Sequence, residues 1–230
     1  MAKKEVVKEI FNDIAPKYDL LNHLLSMNID KGWRRKAMKC LGEKERGYLL
    51  DVACGTGDFS IAAYRAGVRQ VTGIDISENM VEVGRKKIQE AGLSEKIDLR
   101  TGDSEKMEFA DATFDAVTVA FGVRNFEHLS LGLQEMQRVL KPGGKVIILE
   151  FSMPERFPMK QMYKFYFCHI LPTVGGWISG NKGAYTYLPE SVMKFPQGRE
   201  FLDIMAACGF VGATQKKLSF GIASLYIATK

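Results

Sequence analysis

Leu49-Leu50-Asp51-Val52-Ala53-Cys54-Gly55-Thr56-Gly57-Asp58, read with Val71-Thr72-Gly73-Ile74-Asp75, decides the fold. The first stretch is a short apolar strand running into a tight glycine turn. The second is a strand that ends on a carboxylate. Gly55 and Gly57 let the backbone approach a ligand that a side chain would block. A helix starting near Asp58 would aim free N–H groups and a partial positive charge at that ligand. Asp75 follows Gly57 at close to the roughly 20-residue spacing at which a carboxylate meets a ribose. Together the two stretches describe a nucleoside-binding βαβ unit.

Outward from this unit the pattern alternates. Strands are expected at 48–53, 70–75, 97–101, 114–120, 145–151, 212–218 and 223–229, with helices around 58–66, 78–91, 130–140 and 198–208. This predicts an α/β fold, a doubly wound, mostly parallel seven-stranded sheet. Only Ser219-Phe220-Gly221-Ile222 separates the last two strands, too short for a parallel crossover, so one strand runs antiparallel. Ahead of the sheet lies a helical leader, about 1–45. Val7, Ile10, Phe11 and Ile14 share one helical face over 5–15, and Pro16 ends or interrupts that helix. Leu20, Leu21, Leu24 and Leu25 form a second stripe, and a third helix is expected from Trp33 to Leu41. Between the fifth strand and the 198–208 helix sits an insertion, about 153–195. It is about 40 residues long, a length that usually signals function. Met159, Met162, Tyr163, Tyr166, Phe167 and Ile170 fall at helical spacing along it, as plain core or as an apolar cover over the site. The whole of 1–230 is expected to be a single domain.

Bulk properties narrow the class. Hydrophobic residues make up 46% of the chain, enough for a packed core, and the net charge of +5 is mild. Lys3-Lys4 and Lys216-Lys217 read as solvated surface. Cys40, Cys54, Cys168 and Cys208 form no C-x-x-C pair, so zinc and redox readings are poor and no metal is expected. Scattered cysteines and no leader peptide fit a cytoplasmic location. The apolar run Phe165–Leu171 is far shorter than the roughly 20 residues of a membrane span, which leaves transient peripheral contact with the inner face of the membrane open.

The cofactor site is expected at three successive strand ends. Asp75 would accept from both ribose hydroxyls. Asp103, in Gly102-Asp103-Ser104, would accept from an adenine amino group, with the Ser104 N–H free to donate to the ring. As a nicotinamide fingerprint the turn fails, because its third glycine position holds Ser60. The combination resembles the Class I S-adenosylmethionine-dependent methyltransferases, whose fold is Rossmann-like, with Ala53 in place of the usual first glycine. That resemblance implies S-adenosyl-L-methionine as cofactor, held by Ala53, Gly55, Thr56, Gly57, Asp75, Ile76, Asp103, Ser104 and Ala120.

The fourth strand ends in Val119-Ala120-Phe121-Gly122, not in the Asn/Asp-Pro-Pro-aromatic motif of nucleic-acid amino-methylating enzymes. No Pro-Cys dipeptide occurs, so the usual nucleophile of pyrimidine carbon methylation is missing too, and no nucleic-acid partner is expected. Two stretches make a closer match: Tyr18-Asp19-Leu20-Leu21-Asn22-His23-Leu24-Leu25-Ser26 running on to Trp33, and Arg138-Val139-Leu140-Lys141-Pro142-Gly143-Gly144-Lys145 running on to Glu150-Phe151-Ser152. Both resemble signatures of the quinone-biosynthesis C-methyltransferases. So do Phe121-Gly122-Val123-Arg124-Asn125, His169-Ile170-Leu171-Pro172 and Tyr185-Thr186-Tyr187-Leu188. Leu21 stands where that family often has Met, and Asp30 where it often has His.

The resemblance implies methylation of demethylmenaquinol to menaquinol, the final step of menaquinone biosynthesis. A ubiquinone-precursor benzoquinol or another phenolic small molecule is the alternative acceptor. The partner is then an isoprenoid quinol, and a homodimer is compatible. The substrate must be the reduced quinol, because an oxidised ring is electron-poor. Arg124 would stabilise the phenolate, since a guanidinium stays protonated and is a poor base; Asn125 would orient the ring. For Arg124 the competing role is a structural ion pair with a carboxylate such as Glu127. His169 is the best alternative base, or equally a packing residue; His23 and His128 read as surface or structural. The leader helix with Tyr18 and Asp19 is expected to close over the cofactor and exclude water.

Overall fold

The computed structural model describes residues 3–20, 26, 28–167 and 182–230, with the backbone alone for 182–186. Seven strands form one sheet: β1 (Tyr48–Val52), β2 (Gln70–Asp75), β3 (Ile97–Thr101), β4 (Phe114–Ala120), β5 (Leu140–Phe151), β6 (Val211–Leu218) and β7 (Ala223–Thr229). Their order is β3-β2-β1-β4-β5-β7-β6. β7 is the one reversed strand, antiparallel to both β5 and β6, while β1 to β5 pair in parallel. The chain leaves β1 towards β2 and β3 and returns to β4 on the other side. The crevice beyond β1 and β4 is therefore the switch point where such sheets bind ligands.

Alternation along the strands builds two cores. Leu49, Val71, Leu99, Ile147 and Leu149 face α2 (Ile29–Met38), α3 (Asp58–Arg65) and α4 (Glu78–Glu90), joining Trp33, Phe59 and Ile88. Leu50, Val52, Val117, Val119 and Ile148 face α5 (Leu129–Val139) and α8 (Arg199–Ala207), joining Leu133, Met136 and Phe201. A third, smaller cluster of Ile14, Ala15, Met80, Tyr163, Phe167 and Val192 lies over the carboxyl ends of the strands. It joins α1 (Lys4–Ile14), α6 (Met159–Phe165) and α7 (Lys182–Lys194).

Several elements differ from expectation. α2 begins four residues before Trp33: Asn28 takes a left-handed φ of 60° and Asp30 places a carboxylate in the first turn, where the helix dipole favours it. β5 begins at Leu140, directly after α5, because Leu140 pairs with Phe114 ahead of a register shift. The insertion holds a second helix, α7, with Pro189 inside it. The apolar stripe of α6 divides, with Tyr163 and Phe167 buried and Met162 exposed. Pro16 does lie in the 3-10 turn Ala15–Lys17 that ends α1. Leu21, His23, Leu24, Leu25, Cys168, His169 and Ile170 lie outside the described residues. Among the described residues no helix is long and apolar enough to cross a membrane.

Candidate active site

β1 ends at Val52, and the chain turns through Ala53 (φ 51°), Gly55 (φ 55°) and Gly57 (φ 80°) into α3. Three left-handed residues in five make this turn, and only glycine adopts that backbone without cost. Ala53 is the exception. An alanine at that angle costs about 1–2 kcal/mol, which gives a physical reason for a glycine at the equivalent point of such turns.

Asp75 closes the other wall. Its Oδ2 accepts from the Gly55 N–H at 2.8 Å and its Oδ1 from the Ser77 N–H at 2.9 Å. Ser77 in turn caps α4 by accepting from the Met80 N–H. Burial pushes the Asp75 carboxyl above its ordinary pKa, against the backbone N–H groups of Ser77 and Gly55. A carboxylate offers about four acceptor positions, so capacity remains for two hydroxyls. Asp103 follows β3, its Oδ1 accepting from the Glu105 N–H at 2.9 Å.

A cleft of about 680 Å³, open mouth included, runs over these strand ends. Ala53, Gly55, Asp75, Ile76, Asp103, Ser104, Ala120 and Asn125 all line it. Two of the expected cofactor residues do not. A Cβ on Gly57 would stand 3.0 Å from Leu99, so that glycine serves packing against β3. Thr56 donates to Asp19 and accepts from Lys87, and it lines a smaller recess that shares Tyr18, Ala53, Gly55 and Ala120 with the cleft.

α1 forms the roof. Lys4, Val7, Phe11 and Tyr18 line the same cleft. The Lys4 ammonium lies 2.7 Å from Asp103 and 3.6 Å from Glu105, and the Lys4 N–H donates to Glu127. This corrects the reading of Lys3-Lys4 as plain solvated surface. Asn12 accepts from Ser77 Oγ at 2.6 Å, and Asp19 pairs with Lys87.

A second cavity of about 610 Å³ shares Phe11, Tyr18 and Phe121 with the first. Ile10, Ile14, Phe151, Tyr187 and Leu188 give it apolar and aromatic walls; Asp30, Arg34 and Arg124 give it charge. Phe121 and Phe151 stack with centroids 4.3 Å apart, and Trp33 packs on both. Phe121 itself sits at φ 59°, a strained angle for a bulky residue that concentrates at functional sites.

Arg124 is buried, and its partner is Glu150, not Glu127. Arg124 Nη1 donates to Glu150 Oε1 at 2.7 Å and to the Phe121 carbonyl, and Nε donates to Ser191 Oγ at 3.3 Å. The reason is register. β5 runs beside β4 with Leu149 opposite Ala120, which brings Glu150 to the turn after β4. Glu127 instead accepts from the Lys4 N–H. Burial raises the Glu150 pKa even with Arg124 opposing it. Asn125 Oδ1 accepts from the Tyr187 hydroxyl at 3.0 Å. His128, exposed, pairs with Glu105 at 2.9 Å.

Sequence reasoning missed the pair Asp30–Arg34, four residues apart on α2 and both buried in the second cavity. Asp30 also accepts from Ser26 Oγ at 2.6 Å. Arg34 Nε is buried with no hydrogen-bond partner among the described residues. The i,i+4 spacing of opposite charges was the available signal.

A glycine turn, Asp75 and Asp103 on neighbouring strand ends, in a sheet with one reversed strand, define a Class I S-adenosylmethionine-dependent methyltransferase. A SAM-dependent methyltransferase from Thermotoga maritima shares the fold with a TM-score of 0.67 at 20% identity, covering 96% of this chain and 99% of that one. The model of the ubiE/COQ5 methyltransferase family matches residues 1–230, and the chain belongs to that family. The demethylmenaquinone methyltransferase of Bacteroides fragilis is 49% identical, over 99% of this chain and 94% of its own. The ubiquinone/menaquinone biosynthesis C-methyltransferase UbiE of Geobacter sulfurreducens is 46% identical, over 99% and 90%.

Proposed function

We propose that this chain methylates a ring carbon of demethylmenaquinol. The observation that carries the reading is the pair of adjoining cavities, one walled by strand-end carboxylates and the other by aromatic rings, meeting at Tyr18 and Phe121. S-adenosylmethionine, when bound, supplies an electrophilic methyl group on a sulfonium. Asp75 would hold its ribose hydroxyls, Asp103 its adenine amino group and the Ser104 N–H the ring.

The chain's other residues act on the acceptor. Phe121, Phe151 and Tyr187 give the acceptor cavity an aromatic wall suited to a planar ring, so that binding would set the orientation on which most of the acceleration depends. Among the described residues Nη1 and Nε of Arg124 are engaged, and Arg124 lines the acceptor cavity, where Nη2 would donate to a phenolate. The Glu150 pairing makes Arg124 a fixed donor, a role that suits phenolate stabilisation better than proton removal. Asn125, which lines the first cleft and accepts from Tyr187 on the wall of the second, would be the orienting group. Asp30, which pairs with Arg34 and accepts from Ser26 Oγ, is the carboxylate among the described residues lining this cavity, and it would take up the proton. His169, the other expected base, lies outside the described residues.

The test is to give the purified chain S-adenosylmethionine with a reduced naphthoquinol and, separately, with a benzoquinol. Mass spectrometry should show a naphthoquinol one methyl heavier, and no product from the oxidised quinone. Preferred methylation of the benzoquinol would move the assignment to ubiquinone precursors. Failure with both quinols alongside turnover of a simple phenol would overturn it.

A further inference from the structure

Outside the cavities, the most exposed large apolar side chains among the described residues are Phe220 and Phe157, at 85% and 82%. Phe220 tops the turn between β6 and β7; Phe157 lies between β5 and α6. The two segments are bound together at the sheet end that carries the site. Ser152 Oγ donates to the Gly221 carbonyl at 2.8 Å, the Ser152 N–H donates to the Ile222 carbonyl at 2.9 Å, and Lys217 pairs with Glu155 at 2.7 Å. α6 follows, with Tyr163 and Phe167 inward and Met162 62% exposed. Phe220 also sits at φ 60°. A turn tip in that backbone conformation favours Gly or Asn, so an aromatic there serves no folding purpose.

The charge between these apolar groups has one sign. Arg156, Lys160 and Lys164 are exposed beside them. From Arg156 to Pro189 the sequence has no Asp or Glu, and none follows from Ile204 to Lys230. The acid on the adjoining segment, Glu155, is taken by Lys217. Exposed aromatics interleaved with Lys and Arg are the chemistry of a surface that beds into the headgroup region of an anionic bilayer. Protein–protein contact surfaces, in contrast, are depleted in Lys.

We propose that this rim, with Phe157, Met162 and Phe220 as wedges and Arg156, Lys160 and Lys164 as headgroup contacts, docks the enzyme on an anionic phospholipid bilayer. The proposal rests on the quinol reading for its purpose. Phe151 walls the acceptor cavity and lies six residues before Phe157, so docking at the rim brings the acceptor cavity to the surface of the lipid that dissolves an isoprenoid tail.

The experiment is vesicle flotation of the full chain with phosphatidylglycerol–phosphatidylcholine vesicles and with phosphatidylcholine alone. The wild type should float with the anionic vesicles. Phe157→Ser with Phe220→Ser should lower partitioning by about tenfold or more. Lys160→Glu with Lys164→Glu should lower it on the order of tenfold on anionic vesicles and little on neutral ones. Both variants should melt as the wild type does and methylate a tail-less naphthoquinol in solution at the wild-type rate, while slowing on a long-tailed quinol embedded in vesicles. A wild type that methylates the tail-less quinol yet ignores vesicles, or variants that float as it does, overturns the docking surface. So does a solution dimer that the phenylalanine double variant dissociates, which would make a second copy the occupant. Vesicle binding lost in the variants, with no quinol turnover by any form, upholds the surface and refutes the substrate assignment instead.

Discussion

Replacing Arg124, alone and together with Glu150, separates its hold on the fold from the role proposed for it at the acceptor. Its side chain is only 5% exposed and that of Glu150 is fully buried, with 2.7 Å between charged atoms. Removing the guanidinium alone strands the carboxylate, and breaking a buried pair in this way costs about 3–5 kcal/mol. Replacing both members with neutral groups of similar size is often neutral or stabilising. Arg124→Met with Glu150→Gln should therefore regain part of the lost stability: it strands no charge, but the backbone N–H groups of residue 124 and Phe151 donate to different oxygens of Glu150, and the single Gln oxygen can serve only one of them. The deficit of the single variant should shrink with acid. Without Arg124 only burial and two backbone N–H groups set the Glu150 pKa, which then lies still further above that of an unfolded glutamate. A group raised in the fold contributes stability below its unfolded pKa and loses it as pH rises through the folded one. The single variant should thus be relatively worse at pH 8 than at pH 5 in urea unfolding followed by circular dichroism. On the functional side, the double variant should bind cofactor normally and turn over poorly. A single variant as stable as the wild type would refute the energetic reasoning, and a fully active double variant would refute a role for Arg124 at the acceptor.

Three further outcomes follow from the site. Asp51 is fully buried against Ser60 and Thr118, and burial pushes its pKa from 3.8 to about 7. The wild type should lose stability as pH rises from 4 to 7, so Asp51→Asn should gain on it by up to ~4 kcal/mol over that span, at about 1.4 kcal/mol per unit; a pH-independent difference in urea midpoints would refute this. Lys4→Met removes the ammonium that occupies Asp103. Calorimetry should find cofactor binding tighter by roughly two- to fivefold, the range of an exposed pair, and weaker binding would show that Lys4 holds the roof over bound nucleoside. Asp75→Asn keeps an acceptor for the Gly55 N–H but loses the charge, so cofactor affinity should fall by about tenfold or more with far-UV dichroism unchanged; undiminished affinity would remove Asp75 from the ribose site.

What could be read in the chain and what could not divide along a physical line. The glycine turn, Asp75 and Asp103 were legible because each is a local feature, with the turn residue or strand-end acid adjacent in sequence to the element that positions it. The reversed β7 was legible because a four-residue link admits only a hairpin. The Arg124 partner was not, since the choice between Glu127 and Glu150 depends on how β4 and β5 align. Lys4 was misjudged for the same reason: Asp103, its partner, lies 99 residues away and is delivered by β3. α7 escaped because Gly183 and Pro189 break the helical pattern, and packing overrides propensity there. Asp30 and Arg34 were within reach, as their spacing alone places them on one helical face.

The roof over the cofactor cleft shows why these distant polar contacts matter. α1 buries only Val7 and Ile14 of its eleven residues. Besides the apolar cluster around Ile14 and Ala15, the leader is held by struts: Lys4 to Asp103 and Glu105, Asn12 to Ser77 and Asn79, and Asp19 to Thr56 and Lys87. The struts reach the turns that carry Thr56, Ser77 and Asp103, or α4 through Asn79 and Lys87. Partly exposed ion pairs of this kind contribute about 0–1 kcal/mol apiece, so the roof can open at a small fraction of the cost of unfolding the sheet beneath it. A methyl donor must enter and its spent form must leave on every turnover, and water must be kept out between those events. Weak polar fastening would couple closure to occupancy at Asp75, because Ser77 bonds both to Asp75 and to Asn12 of α1, while the Lys4 strut would give way to a nucleoside at Asp103.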